Sequence, residues 1–99
     1  MVRVTNAHVV SDGWLLLDFD NQERKFVDIK PVMKGILKQL EDPQFFEQVH
    51  VDRELGTVTW PGELDLDPDN LYRQGIDANV AVMTLAQRKK ETGRSLERA

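Results

Sequence analysis

The stretch Val58–Tyr72, VTWPGELDLDPDNLY, sets four carboxylates, Glu63, Asp65, Asp67 and Asp69, at every second position directly after a Trp-Pro-Gly. The fold turns on whether this is a ligand-binding loop or the end of a strand followed by the start of a helix. Asp65, Asp67 and Asp69 match the opening of a D-x-D-x-D calcium loop. The rest of that pattern fails: the sixth position, where a sharp turn needs Gly, is Asn70, and the twelfth, where a bidentate Glu belongs, is Ile76. An acid/base pair of carboxylates needs a cleft and opposed environments that separate two pKa values, and nothing nearby supplies a nucleophile or a phosphate loop.

The structural alternative accounts for more of the residues. Pro61 and Gly62 end the strand that carries Trp60. Asp67 precedes Pro68, which makes an N-cap followed by a first-turn proline. Asp69 falls in that first turn, where the helix dipole favours negative charge. Leu64, Leu66 and Leu71 can then face inward while the carboxylates face water. This predicts a helix start at DPDNLY, with Trp60 in the core.

Upstream, VRVTNAHVV reads as a strand rich in β-branched residues, closed by a turn at Ser11-Asp12-Gly13. WLLLDFD is the next strand, with Leu15, Leu17 and Phe19 on one face. A turn at Asp20-Asn21-Gln22 leads to ERKFVDI, whose inward pair is Val27 and Ile29. Pro31 ends this ladder because it has no N–H to donate. From Pro31 to Leu40 the apolar spacing (Val32, Met33, Ile36, Leu37, Leu40) becomes helical, although Gly35 interrupts it. Asp42-Pro43 caps a short helical turn carrying Phe45 and Phe46. EQVHVDR and TVTW follow as two more antiparallel strands. Beyond the acidic stretch, Ala78 to Lys90 is free of Gly and Pro and predicts a C-terminal helix ending near Gly93.

The expected fold class is therefore α+β: one antiparallel sheet of about five strands in β-β-β-α-β-β-α order, with one central helix and a C-terminal helix. The expected division is a domain over residues 1–73, with residues 74–99 as a helix and basic tail.

Composition bounds the function. The 99 residues contain no cysteine, so disulfides, cysteine zinc fingers, iron–sulfur clusters and thiol catalysis are excluded within this chain. No apolar run is longer than Trp14–Leu17, far short of the roughly 20 residues of a membrane helix. The opening MVRVTNAHVV lacks a charged-then-apolar signal pattern, so a cytoplasmic location is expected. Net charge is −4 but unevenly placed: residues 1–87 hold 8 Lys/Arg against 15 Asp/Glu, and residues 88–99 hold 5 against 2. An acidic body repels nucleic-acid phosphates and favours a basic protein partner.

The remaining reactive residues carry little. His8 and His50 stand in strand patterns without metal-ligand spacing. Ser11 lacks the G-x-S-x-G context of a nucleophile elbow. No phosphate-cradling glycine motif occurs. No cofactor, metal site or catalytic residue is expected. The candidate partner-binding residues are the stripe Ile76, Val80 and Met83 and the basic run Arg88, Lys89 and Lys90, with a homodimer as an alternative assembly.

The order of motifs resembles the bacterial domain-of-unknown-function family 2442. The resemblance rests on Asp28-Ile29-Lys30-Pro31, on Leu40 and Asp42, and on Phe46, Val49 and Val51. It closes on Gly56-Thr57-Val58-Thr59-Trp60-Pro61 and Asp67-Pro68-Asp69-Asn70-Leu71-Tyr72, covering residues 2–73. The family's common Trp-Pro-Asn-Gly is shortened here to Trp60-Pro61-Gly62. The resemblance implies a small α+β domain without established catalytic residues. It also implies a gene-pair arrangement read as a toxin–antitoxin system, with the other gene encoding a member of domain-of-unknown-function family 4160. The expected function is a non-catalytic module that regulates or neutralises a partner encoded nearby. The alternative is a DNA-associated regulator that uses the basic tail, suggested by family members with an added helix-turn-helix.

Overall fold

A computed structural model describes residues 1–80 of the chain. Its first three strands are the expected meander: β1 (Val4–Ser11), β2 (Trp14–Phe19) and β3 (Arg24–Asp28), paired antiparallel. Alternation along β2 buries Leu15, Leu17 and Phe19, and Val27 and Ile29 are buried beside them. Trp14, Leu16 and Asp18 on the opposite face are only half-covered. The β1–β2 pairing slips twice, between Val4 and Asn6 and between Val9 and Ser11, so only Asn6 to Val9 runs in regular register.

The central helix expected over Pro31–Leu40 does not form as one element. A 3-10 turn covers Lys30–Val32 and a 3-10 helix covers Gly35–Glu41. Lys34 is extended, at φ −131° and ψ 153°, and Gly35 sits at φ +57°, a left-handed conformation that interrupts any continuous helix. With three residues per turn, side chains three apart stack. Leu40 is accordingly buried and Leu37 half-buried in line with it, while Ile36 points out at 69% exposure. The expected short turn at Asp42-Pro43 is present as α1 (Pro43–Phe46), with the Asp42 carboxylate accepting from the Gln44 N–H at 3.0 Å.

The strands do not form the single five-stranded sheet expected. The described residues form seven strands in two antiparallel sheets. One has the order β1-β2-β3-β7, and the other β4-β5-β6. β4 (His50–Asp52) and β5 (Thr57–Trp60) are the expected pair. The two added strands are two residues long each: β6 (Leu64–Asp65), paired to β5, and β7 (Ile76–Asp77), paired to β3. Strands this short have no alternation for a sequence to display. Ile76 thus lies in a strand, not in the C-terminal helix, and the boundary expected at residue 73 falls inside α2 (Pro68–Gln74). Residues 78–80 are helical, and the Asp77 carboxylate accepts from the N–H groups of Asn79 and Val80 at 2.8 and 3.3 Å. The expected course of that helix through Lys90 to Gly93 lies outside the described residues.

Both sheets feed one core. Leu15, Leu17 and Val27 of the first cluster with Val58, Trp60 and Leu64 of the second, and Leu40, Phe46 and Leu71 complete it. The sheets are tied at the start of β1. Val4 donates its N–H to the Gly56 carbonyl at 2.8 Å, and the Arg3 guanidinium donates to the carbonyls of Arg53 and Glu54. Gly56 is at φ +67°, and a Cβ there would stand 2.8 Å from Arg3 Cζ, so the tie requires glycine at this turn.

Candidate functional site

The acidic stretch is a tight turn followed by a short strand and a helix start. Trp60 pairs with Leu64 across the turn Pro61-Gly62-Glu63, in which Glu63 takes φ +60°. Leu64 and Leu66 then point inward, with Glu63, Asp65 and Asp67 exposed between them. The Thr57 hydroxyl donates to the Leu66 carbonyl, and Leu66 donates its N–H to the Val58 carbonyl at 3.3 Å, which keeps the chain alongside β5. Asp67 caps α2 by accepting from the Asp69 N–H at 3.1 Å, and Asp69 lies in the first turn. The alternating carboxylates are thus the solvent side of a strand followed by a helix cap. Among the described residues, no three His, Asp or Glu side chains converge as a metal site would require.

Tyr72, the last residue of that stretch, has a role that the sequence reading missed. Its hydroxyl donates to the Glu23 carboxylate, which also accepts from Asn21 Nδ2 at 2.7 Å. Its ring meets Phe19 edge-on, with centroids 5.1 Å apart. Lys25 Nζ lies 3.7 Å from the ring centroid and donates to the Tyr72 carbonyl at 2.9 Å. One side chain therefore fastens α2 to the β2–β3 hairpin.

The proposed partner-binding residues are only partly described. Ile76 is 48% exposed on β7, at the edge of the four-stranded sheet, and Val80 is 57% exposed. Met83, Arg88, Lys89 and Lys90 lie outside the described residues. The two histidines are exposed and local in their contacts. His8 Nε2 is 3.0 Å from Asn6 Nδ2, and His50 Nδ1 is 3.2 Å from the Gln48 carbonyl.

A second candidate surface is a cleft of about 280 Å³ between the β1–β2 turn, the 3-10 segment and α1. Val9, Met33, Leu40 and Phe46 supply its apolar lining, the last two of them buried. The exposed residues Asp12, Glu41 and Glu47 line it as well. None of these three carboxylates makes a hydrogen bond or ion pair through its side chain among the described residues. Lys30 also lines the cleft, but its ammonium pairs with Asp28 at 3.2 Å and lies 5.1 Å from the Trp14 ring centroid. These residues come from four separate segments, so no local motif could have announced them.

Electrostatically the described chain is under-neutralised. Its only ion pairs are Arg24–Asp18, at 2.6 Å, and Lys30–Asp28. The hydrogen bond from Arg24 holds the Asp18 carboxyl below the usual carboxylate range, against a smaller upward push from burial. The same contact raises the Arg24 guanidinium. Among the described residues, no helix is long and apolar enough to cross a membrane.

A family model described as "Protein of unknown function (DUF2442)" matches residues 4–77. The chain belongs to that family. The matched span runs past the boundary expected at residue 73 and takes in β7. No solved structure matches the chain.

Proposed function

We propose that this member of the DUF2442 family is a non-catalytic protein-binding module that regulates or neutralises a basic partner encoded nearby, an antitoxin-like role. The observation that carries the reading is the uncompensated acidity of the body. Residues 1–87 hold 15 carboxylates, all of them among the described residues, and only Asp18 and Asp28 of these are ion-paired. A surface of that kind steers a cationic protein toward it and keeps nucleic acid away. Exposed Ile76 and Val80 supply apolar contact next to it. Co-expression with the product of the adjacent gene, followed by size-exclusion chromatography at micromolar concentration, tests the reading. A co-eluting complex that weakens steeply with salt supports it, and separate elution at every salt concentration overturns it.

The second reading, a DNA-associated regulator, draws on the charge of residues 88–99, 5 Lys/Arg against 2 Asp/Glu. Binding of the full chain to its own promoter, falling with log salt, would favour it over the first.

A further inference from the structure

We propose that the cleft between β1 and α1 receives an apolar side chain flanked by basic residues, presented by a protein partner. This deepens the partner-binding reading above and rests on it.

The argument starts from size. At about 280 Å³ the cleft stands at the lower edge of the range of roughly 300–1,000 Å³ typical of small-ligand sites. It suits one large anchor side chain, the way an interface hot spot seats in a dry pocket. The chemistry of the lining agrees. Leu40 and Phe46, at 1% and 2% exposure, tie the apolar lining to the packed core. Met33 in the lining is an adaptable contact, with a flexible and polarisable side chain.

Charge decides the occupant. The lining carries Asp12, Glu41 and Glu47, none with a side-chain hydrogen-bond or ion-pair partner among the described residues. The one cation in the lining, Lys30, is already held by Asp28 and set toward Trp14. An acidic anchor segment would meet three uncompensated carboxylates. A basic one would pair with them, and because all three carboxylates are exposed that attraction weakens as salt is added. The cleft is also clear of the acidic stretch at residues 63–69, of Ile76 and of Val80, so it is a separate contact surface.

The test titrates the full ¹⁵N-labelled chain with three capped pentapeptides, Ac-KKFKK-NH₂, Ac-KKAKK-NH₂ and Ac-EEFEE-NH₂, and with phenethylammonium. The expected result is a saturating shift of the amide signals of Val9, Gly13 and Met33 with Ac-KKFKK-NH₂. Binding of the alanine peptide should be about ten-fold weaker for want of the anchor, and the acidic peptide should leave these signals in place. The exposed double variant E41Q/E47Q should weaken the Ac-KKFKK-NH₂ interaction several-fold at low salt without moving the melting temperature. The proposal is overturned if the cleft signals do not move, if the acidic peptide binds equally, or if the alanine peptide does. It is also overturned if phenethylammonium binds as tightly as Ac-KKFKK-NH₂, which would make this a site for a free organic cation. The two readings fail separately. A complex with the neighbouring gene product that ignores E41Q/E47Q, with no peptide seated, removes the cleft alone. Peptides seated in the cleft without that complex remove only the neighbour as partner.

Discussion

The indole Nε1 of Trp60 donates to the main-chain carbonyl of Phe46 at 2.9 Å, and the two rings stack with centroids 5.7 Å apart and planes 28° from parallel. This contact joins the last strand before the acidic stretch to the short helix after the 3-10 segment. It explains why a large aromatic with a polar handle stands at the end of β5: its ring fills core space while its N–H satisfies a carbonyl at the end of α1. Trp60→Ala should therefore destabilise the chain by about 3–5 kcal/mol, as large core truncations do. Trp60→Phe should lose less, since part of the ring volume stays. Thermal melts check both, and an alanine variant melting within a degree or two of the parent would refute the core placement.

The two roles assigned within the acidic stretch separate by mutation. Asp67→Ala removes the cap on the Asp69 N–H and should cost about 1 kcal/mol. Asp65→Asn changes an exposed strand position and should stay within about 0.5 kcal/mol of the parent. Urea unfolding resolves the difference, and equal midpoints for the two variants would contradict the capping assignment.

Tyr72→Phe deletes the hydroxyl that joins α2 to Glu23 and Asn21 but keeps the edge contact with Phe19. Its expected cost is about 1.5–3 kcal/mol, the worth of a hydrogen bond to a charged group. Tyr72→Ala also removes the ring and should cost more. Amide exchange should quicken in α2 ahead of β5, because the lost contacts fasten only that helix. Uniform acceleration across both sheets would show that Tyr72 does not act as a local fastening.

Asp18 supplies a pH dependence with a definite sign. Its carboxyl is held low in the folded state by Arg24. The contribution to stability is thus present above the ordinary carboxylate pKa and is lost as pH falls through the lowered folded value. Melting temperatures of the parent and of Asp18→Asn should lie furthest apart near neutrality and converge as pH falls through the lowered folded value. Added salt should narrow the gap at neutrality, since the pair is partly exposed. A gap that widens on acidification would reverse the assignment.

Gly56→Ala must place a side chain at φ +67° and push the Arg3 guanidinium off the turn. A loss of roughly 1–2 kcal/mol is expected. Combining it with Arg3→Ala removes the clash but leaves the backbone strain, so the double variant should recover only part of the loss beyond that of Arg3→Ala alone. Full recovery in unfolding midpoints would show that the clash, and not φ, sets the cost.

Local patterning was enough wherever local chemistry and burial agree. Alternation placed Leu15, Leu17, Phe19, Val27 and Ile29 inside, because period-two patterning has only one way to bury its apolar face. Asp42-Pro43 and Asp67-Pro68 announced helix starts, since a capping carboxylate followed by a first-turn proline satisfies orphan N–H groups locally. Trp60, Leu64, Leu66 and Leu71 were legible as core because a strand end at Pro61-Gly62 and a helix start at Asp67 leave the carboxylates facing water and these residues facing inward. The tertiary structure decided the rest. A helical apolar spacing at Pro31–Leu40 became 3-10 pieces because Lys34 is extended and Gly35 left-handed, and the core took only Leu40 fully. The two-residue strands β6 and β7 pair with the edges of β5 and β3, the strands fall into two sheets and not one, and Ile76 lies in a strand and not in a helix. Tyr72 as a fastening and the cleft lined by Val9 and Met33 bring together residues distant in the chain. Non-local contacts of this kind leave no trace in spacing, since what determines them is which surfaces remain uncovered once the local elements have packed.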